Sequence, residues 1–171
     1  RRGWIELPAS VRSTTVSRVR GPRAGSWLGP ARESPLNGHR PLHWQLVHTA
    51  EERAQWRRLL DVHHYLGAPA LVGAHLKYLV YDRDGQILGA LGWQSAVANM
   101  GCRDRALQWS AAQRAHHLER LVNNVRFLVL PWRKVRHLAS VILSEGVQQL
   151  QRDWPRHYGV PVWWVESFVD R

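Results

Sequence analysis

Apolar positions change period partway along the chain, and the change marks a strand feeding directly into a helix. Phe127, Leu128, Val129 and Leu130 form a short unbroken run that stops at Pro131, which predicts a buried strand closed by a residue unable to extend a ladder. From Val135 onward, Leu138, Ala139, Ile142, Leu143, Val147 and Leu150 step by three or four, predicting a helix to about Arg156 that closes at Gly159. Upstream, Leu42 to Val47 reads as a strand, and Thr49 with Glu52 forms a capping box for a helix carrying Trp56, Leu59 and Leu60 inward. That helix is expected to end in HHYLG, with Gly67 in the left-handed cap position and His63 and His64 as cap and packing residues.

A hairpin follows, HLKYLVYD and QILGALGWQS around Arg83-Asp84-Gly85, since an Asp-Gly pair between β-rich runs favours a tight turn. A loop through Met100 and Gly101 leads to an expected third strand, Arg105 to Trp109. Ser110 and Gln113 then open a helix expected to run through Leu118 and Leu121 to Asn123-Asn124. In the final PVWWVESFVD, alternation puts Trp164, Glu166, Phe168 and Asp170 on one strand face and Trp163, Val165, Ser167 and Val169 on the other. These elements predict an α/β (α+β) fold, a mixed and mostly antiparallel sheet flanked by helices, over residues 41–171.

Residues 1–40 show neither period and are rich in Arg, Ser, Gly and Pro, which predicts a flexible basic N-terminal arm. Eight arginines face two glutamates there, so Arg18, Arg20 and Arg23 are candidate phosphate contacts; a solubilising leader explains them equally well. Trp4 and Trp27 are able to stack on bases or to dock on the domain. The whole chain, 171 residues with a formal charge of +11, suits one basic domain with an anionic partner, of which nucleic acid is the commonest. No apolar run is long enough to span a membrane, no secretory signal is legible, and the single cysteine, Cys102, offers neither an internal disulfide nor a metal-ligand pair. The expected location is the cytoplasm.

The densest candidate chemistry lies at the start of the long helix. Arg133, Lys134 and Arg136, with His137, place cations where the helix dipole is already positive, a conflict that a bound phosphate would relieve. Side chains snorkelling into water are the plain alternative. Glu166 is the candidate general base, because burial beside Trp164 and Phe168 would raise its pKa; its other role is to pair with an arginine. Asp170, Tyr65 and Tyr78 rank below it, and Asp104 beside Arg103 reads as a turn clamp. Trp93, Trp109 and Trp132 sit at element ends, as core-rim residues or as a stacking surface. No Ser-His-Asp order, CxxC pair or phosphate-loop glycine run is legible, so the sequence gives hydrolase, zinc and nucleotide-triphosphatase readings no footing.

HHYLG, the hairpin ending in LGW, Arg103-Asp104, RFLVLP, HLAS, Asp153-Trp154 and ESFVD occur in the order seen in the DruA family, which the chain resembles from about Leu42 to Asp170. The resemblance implies a component of the Druantia anti-phage defence system or of a mobile element, working beside other defence or transposase proteins. The family usually has Asn in place of His137 and continues beyond ESFVD, so the sheet is expected to be C-terminally truncated, and an inactive remnant is one expectation. The centre of the chain also resembles the GNAT acetyltransferase fold. There Lys134, His137 and Ala139 would occupy the Arg or Gln, first Gly and last Gly/Ala of the R-x-x-G-x-G/A loop that holds acetyl-CoA pyrophosphate. On that resemblance the chain is an acyl-CoA-dependent N-acyltransferase with Glu166 as base, in which His137 crowds a place where backbone approaches the ligand.

Overall fold

The two β-rich runs either side of Asp84-Gly85 form the middle of a five-stranded open sheet in a computed structural model, which describes residues 34–168. In chain order the elements are β1 (His43–Leu46), α1 (Ala50–His63), β2 (His75–Tyr81), β3 (Ile87–Ser95), α2 (Gly101–Leu107), α3 (Ala111–His117), β4 (Leu121–Val129), α4 (Leu138–Tyr158) and β5 (Trp164–Ser167). Strand order across the sheet equals chain order, and every pair is antiparallel except β4 and β5. A parallel pair needs a crossover, and α4 supplies it.

Successive side chains of a strand point to opposite faces, so both faces of this sheet acquire a core. Tyr78 and Val80 meet α4 through Leu138, Ile142, Leu150 and Trp154, while Leu79, Ala90, Leu128 and Leu130 meet Trp56 and Leu60 of α1. Gly146 lets α4 approach closely: a Cβ there would stand 2.9 Å from Leu91 Cδ2 and 3.0 Å from the Trp44 ring. The helix is also tied by a polar contact, Tyr78 Oη donating to Asp153 Oδ2 at 2.9 Å. Both capping boxes form, Thr49 with Glu52 and Ser110 with Gln113.

Five expectations are corrected. Arg105 to Trp109 is not a strand: α2 runs to Leu107, and Arg103 is buried beneath it, donating to the Val97 and Ala98 carbonyls. A strand there would have no free place beside β3, which is already paired on both sides. The helix opened by Ser110 stops at His117, passes through a 3-10 turn at Leu118–Arg120, and gives way to β4 at Leu121. Asn123 and Asn124 therefore lie inside a strand, where a bulge beside Gly92 leaves a carbonyl that the Asn124 amide reaches at 3.4 Å.

Helix α1 ends at His63, earlier than expected, because His64 has extended backbone; Gly67 does adopt a left-handed φ of +60°, but in the turn that follows. Helix α4 starts at Leu138 and not at Val135, after His137 with φ +63°. Ser34 to Arg40, read from sequence as part of the arm, pack on the domain: Leu36 joins the α4-side core and Ser34 bridges to Val135. Trp4, Arg18, Arg20, Arg23, Trp27, Val169 and Asp170 lie outside the described residues.

Candidate functional site

Beyond Val129 the chain turns three times in quick succession before α4 begins. Arg133 N–H donates to the Leu130 carbonyl, Val135 N–H to that of Arg133, and Leu138 N–H to that of Val135. Pro131 cannot continue the ladder, and the apolar anchors Val135 and Leu138 are buried, so the polar residues between them are forced outward. Arg133 is half-buried; Lys134, Arg136 and His137 are exposed. The cations thus precede the helix and are not in its first turn, which lessens their conflict with its dipole. Arg133, Lys134 and Arg136 line a cavity of about 500 Å³ together with Ser34, Pro35 and Val135. Among the described residues none of the three makes an ion pair, and Arg133 Nε is buried without a hydrogen-bond partner.

Ser34, which lines the same cavity, belongs to an arrangement for which the sequence reading offers no footing. Ser34 Oγ lies 2.7 Å from His39 Nε2, and His39 Nδ1 lies 3.2 Å from Asp82 Oδ2. A carboxylate only accepts, so His39 carries a proton on Nδ1; in the neutral ring Nε2 is then left to accept from the serine hydroxyl. Burial would raise the Asp82 pKa, but the Gln86 N–H, His39, the Asp84 N–H and the charge of Arg133 outweigh it and hold the carboxyl below its ordinary value. Ser34 is fixed from a second side by its N–H, which donates to the Lys134 carbonyl at 3.2 Å. Nothing in the spacing of residues 34, 39 and 82 announces this contact; the hairpin brings Asp82 to the turn that carries His39.

Glu166 lies at the opposite end of β4. Its register partner is Asn123, six residues before Val129, which puts it about 20 Å from the end of that strand. It accepts from Arg103 Nη1 at 3.4 Å, and Arg103 also reaches Asp104, which is held in turn by Arg114 at 3.1 Å. Burial raises the Glu166 pKa against the lowering effect of Arg103. Among the described residues, strands β4 and β5 pair as far as Asn124 and Ser167, and a cavity of about 250 Å³ there is lined by, among others, Tyr65, Val125, Phe127 and Phe168. Trp93 is fully buried, Trp132 packs edge-on to His63 at 4.9 Å, and Trp109 packs on Trp164 and His117.

A family model described as "Druantia protein DruA" matches residues 31–168. The chain belongs to the DruA family. That makes it a Druantia-type, defence-associated protein. No curated protein and no solved structure matches it. The matched range of this DruA-family chain takes in the basic loop, the Ser34–His39–Asp82 contact and the Arg103–Glu166 network alike. Among the described residues, no helix is long and apolar enough to cross a membrane. The structure brings Arg133, Lys134 and Arg136 together around one cavity and sets His137 as the residue before α4. It keeps Glu166 apart from them.

Proposed function

We propose that this DruA-family protein engages nucleic acid through the loop Arg133, Lys134, Arg136 and His137, as a component of a bacterial anti-phage defence system or a mobile element. One observation carries the reading: three cations surround a cavity of about 500 Å³ without an ion-pair partner among the described residues. Surface cations held for stability are ordinarily paired or dispersed, whereas phosphate contacts require positive charge that is accessible and uncommitted. The formal charge of +11 supplies the long-range attraction, and Arg18, Arg20 and Arg23 would add contacts from the N-terminal stretch. Such a protein works in the cytoplasm beside other defence or transposase proteins.

The test is binding of duplex DNA across a salt series. The logarithm of the association constant should fall linearly with the logarithm of salt, with a slope near 0.9 for each phosphate neutralised. Replacing Arg133, Lys134 and Arg136 together with Ala should reduce that slope by about 2 to 3 while the thermal transition is retained. A slope unchanged by the triple substitution defeats the reading.

A second reading rests on the cavity at the end of the β4–β5 pairing. This cavity, walled in part by Phe127 and Phe168, would take the arm of an acyl-CoA, with the loop before α4 holding its phosphates and Glu166 as base. Saturating acetyl-CoA should then raise the melting temperature by several degrees where inorganic phosphate does not. Equal shifts with the two compounds defeat it.

A further inference from the structure

We propose that Ser34, His39 and Asp82 form a nucleophilic relay that cleaves phosphodiesters bound by the adjacent cations. The geometry has each part such a reaction needs. The hydroxyl is 2.7 Å from an imidazole nitrogen that in the neutral ring is free to take its proton, and the far side of the ring is held at 3.2 Å by a buried carboxylate. Asp82 stays ionised because four groups favour its charged form, so it both sets the tautomer of His39 and stabilises the imidazolium that forms when the ring takes a proton. The serine faces a cavity large enough for a phosphodiester and its flanking groups.

The lining decides the substrate class. Arg133, Lys134 and Arg136 surround the same cavity, and Arg133 presents a buried Nε–H that lacks an acceptor. A neutral ester would leave these donors unused. A phosphoryl group in transfer carries charge on its non-bridging oxygens, and fixed cations stabilise it. In the first step Ser34 Oγ bonds to phosphorus as its proton passes to His39 Nε2; the bond from phosphorus to the leaving oxygen breaks, and that oxygen takes the proton from His39. Water then attacks the phosphoserine, giving a proton to His39, and Ser34 Oγ departs with that proton. One water is consumed, and a monoester and an alcohol are released.

The substrate class rests on the nucleic-acid reading of the loop, whereas the reactivity of Ser34 does not, and the experiment separates the two. A biotinylated fluorophosphonate should label the full chain once, on the peptide containing Ser34. Labelling should vanish in Ser34→Ala and slow at least tenfold in His39→Ala, each variant being checked for an unchanged cooperative melt. Ser34→Ala removes only a hydroxyl and keeps the backbone bond to Lys134, so it serves if His39→Ala does not fold. The chain should also release p-nitrophenolate from bis(p-nitrophenyl) phosphate, and Ser34→Ala should not. The relay is overturned if Ser34 in the folded protein is not labelled, or if labelling is as fast in a folded His39→Ala. The phosphodiester assignment is overturned if p-nitrophenyl acetate is turned over and the phosphate is not. Labelling of Ser34 in a chain that fails to bind DNA would overturn the loop's nucleic-acid reading and support the relay.

Discussion

Tyr78→Phe tests what locks α4 to the sheet, and with it the position of the loop at the helix's start. Tyr78 is fully buried, and its hydroxyl donates at 2.9 Å to Asp153, a carboxylate 8% exposed. Burial and then the hydrogen bond to Asp153 hold the phenol well above its usual pKa, so it is a donor throughout the working pH range. Losing a donor to a buried charged acceptor costs about 1.5–3 kcal/mol. Gln149 Nε2 still donates to the same oxygen at 3.0 Å, but the Arg156 guanidinium, mostly exposed and 3.8 Å away, adds little. At about 2–4 °C per kcal/mol for a domain of this size, the melting temperature should fall by roughly 3–12 °C.

The companion variant Tyr78→Phe/Asp153→Leu removes both partners, so its loss should be smaller than the sum of the two single losses. Thermal melts and urea titrations at neutral pH read both quantities. A Tyr78→Phe variant within about 0.5 kcal/mol of the parent, or strict additivity in the double variant, would refute the idea that this bond fastens the helix.

Gly146→Ala should destabilise by about 1–3 kcal/mol in urea unfolding, because its Cβ would press on Leu91 and the Trp44 ring and lift α4 from β1 and β3. The raised pKa of Glu166 predicts a stabilising contribution that is complete below its unfolded value and lost as pH rises through the folded one. The stability of Glu166→Gln relative to the parent should therefore increase between pH 4 and pH 7, and a decrease would contradict the burial argument. At His137, with φ +63°, Asn should be tolerated within about 0.5 kcal/mol while Val should cost about 1–2 kcal/mol, as a melt of the two variants would show.

Elements whose local signals and tertiary roles agreed were legible: the hairpin around Gly85, both capping boxes, and the stripe of α4 through Ile142 and Leu150. The mixed, mostly antiparallel sheet followed from them. Two of the errors share a cause, which is polar or charged residues committed to partners beyond their own turn. Asn123-Asn124 resembled a helix end and is strand interior at a bulge; Arg103 resembled a surface turn and is a buried anchor for the Val97 and Ala98 carbonyls. The pairing of Glu166 with an arginine was among the expected roles, though its partner had no sequence signal. The contact of Ser34 with His39 and Asp82 was illegible for the same reason: it joins a residue outside the recognised elements to a hairpin turn. His137 shows the reverse case, since the Asn usual in the DruA family at that position is a residue that tolerates the left-handed backbone found there.

The bridge between Ser34 and Val135 sets where the first 33 residues are attached. Arg23 is 11 residues from Ser34, so bond geometry alone keeps it within about 40 Å of the cavity lined by Arg133 and Lys134. Charges so linked act at an effective concentration fixed by the tether and not by the amount of protein in solution. A polyanion held at the loop would meet the upstream arginines as an intramolecular event. Removing residues 1–33 should therefore weaken binding, and adding them back as a separate peptide at the same concentration as the protein should not restore it.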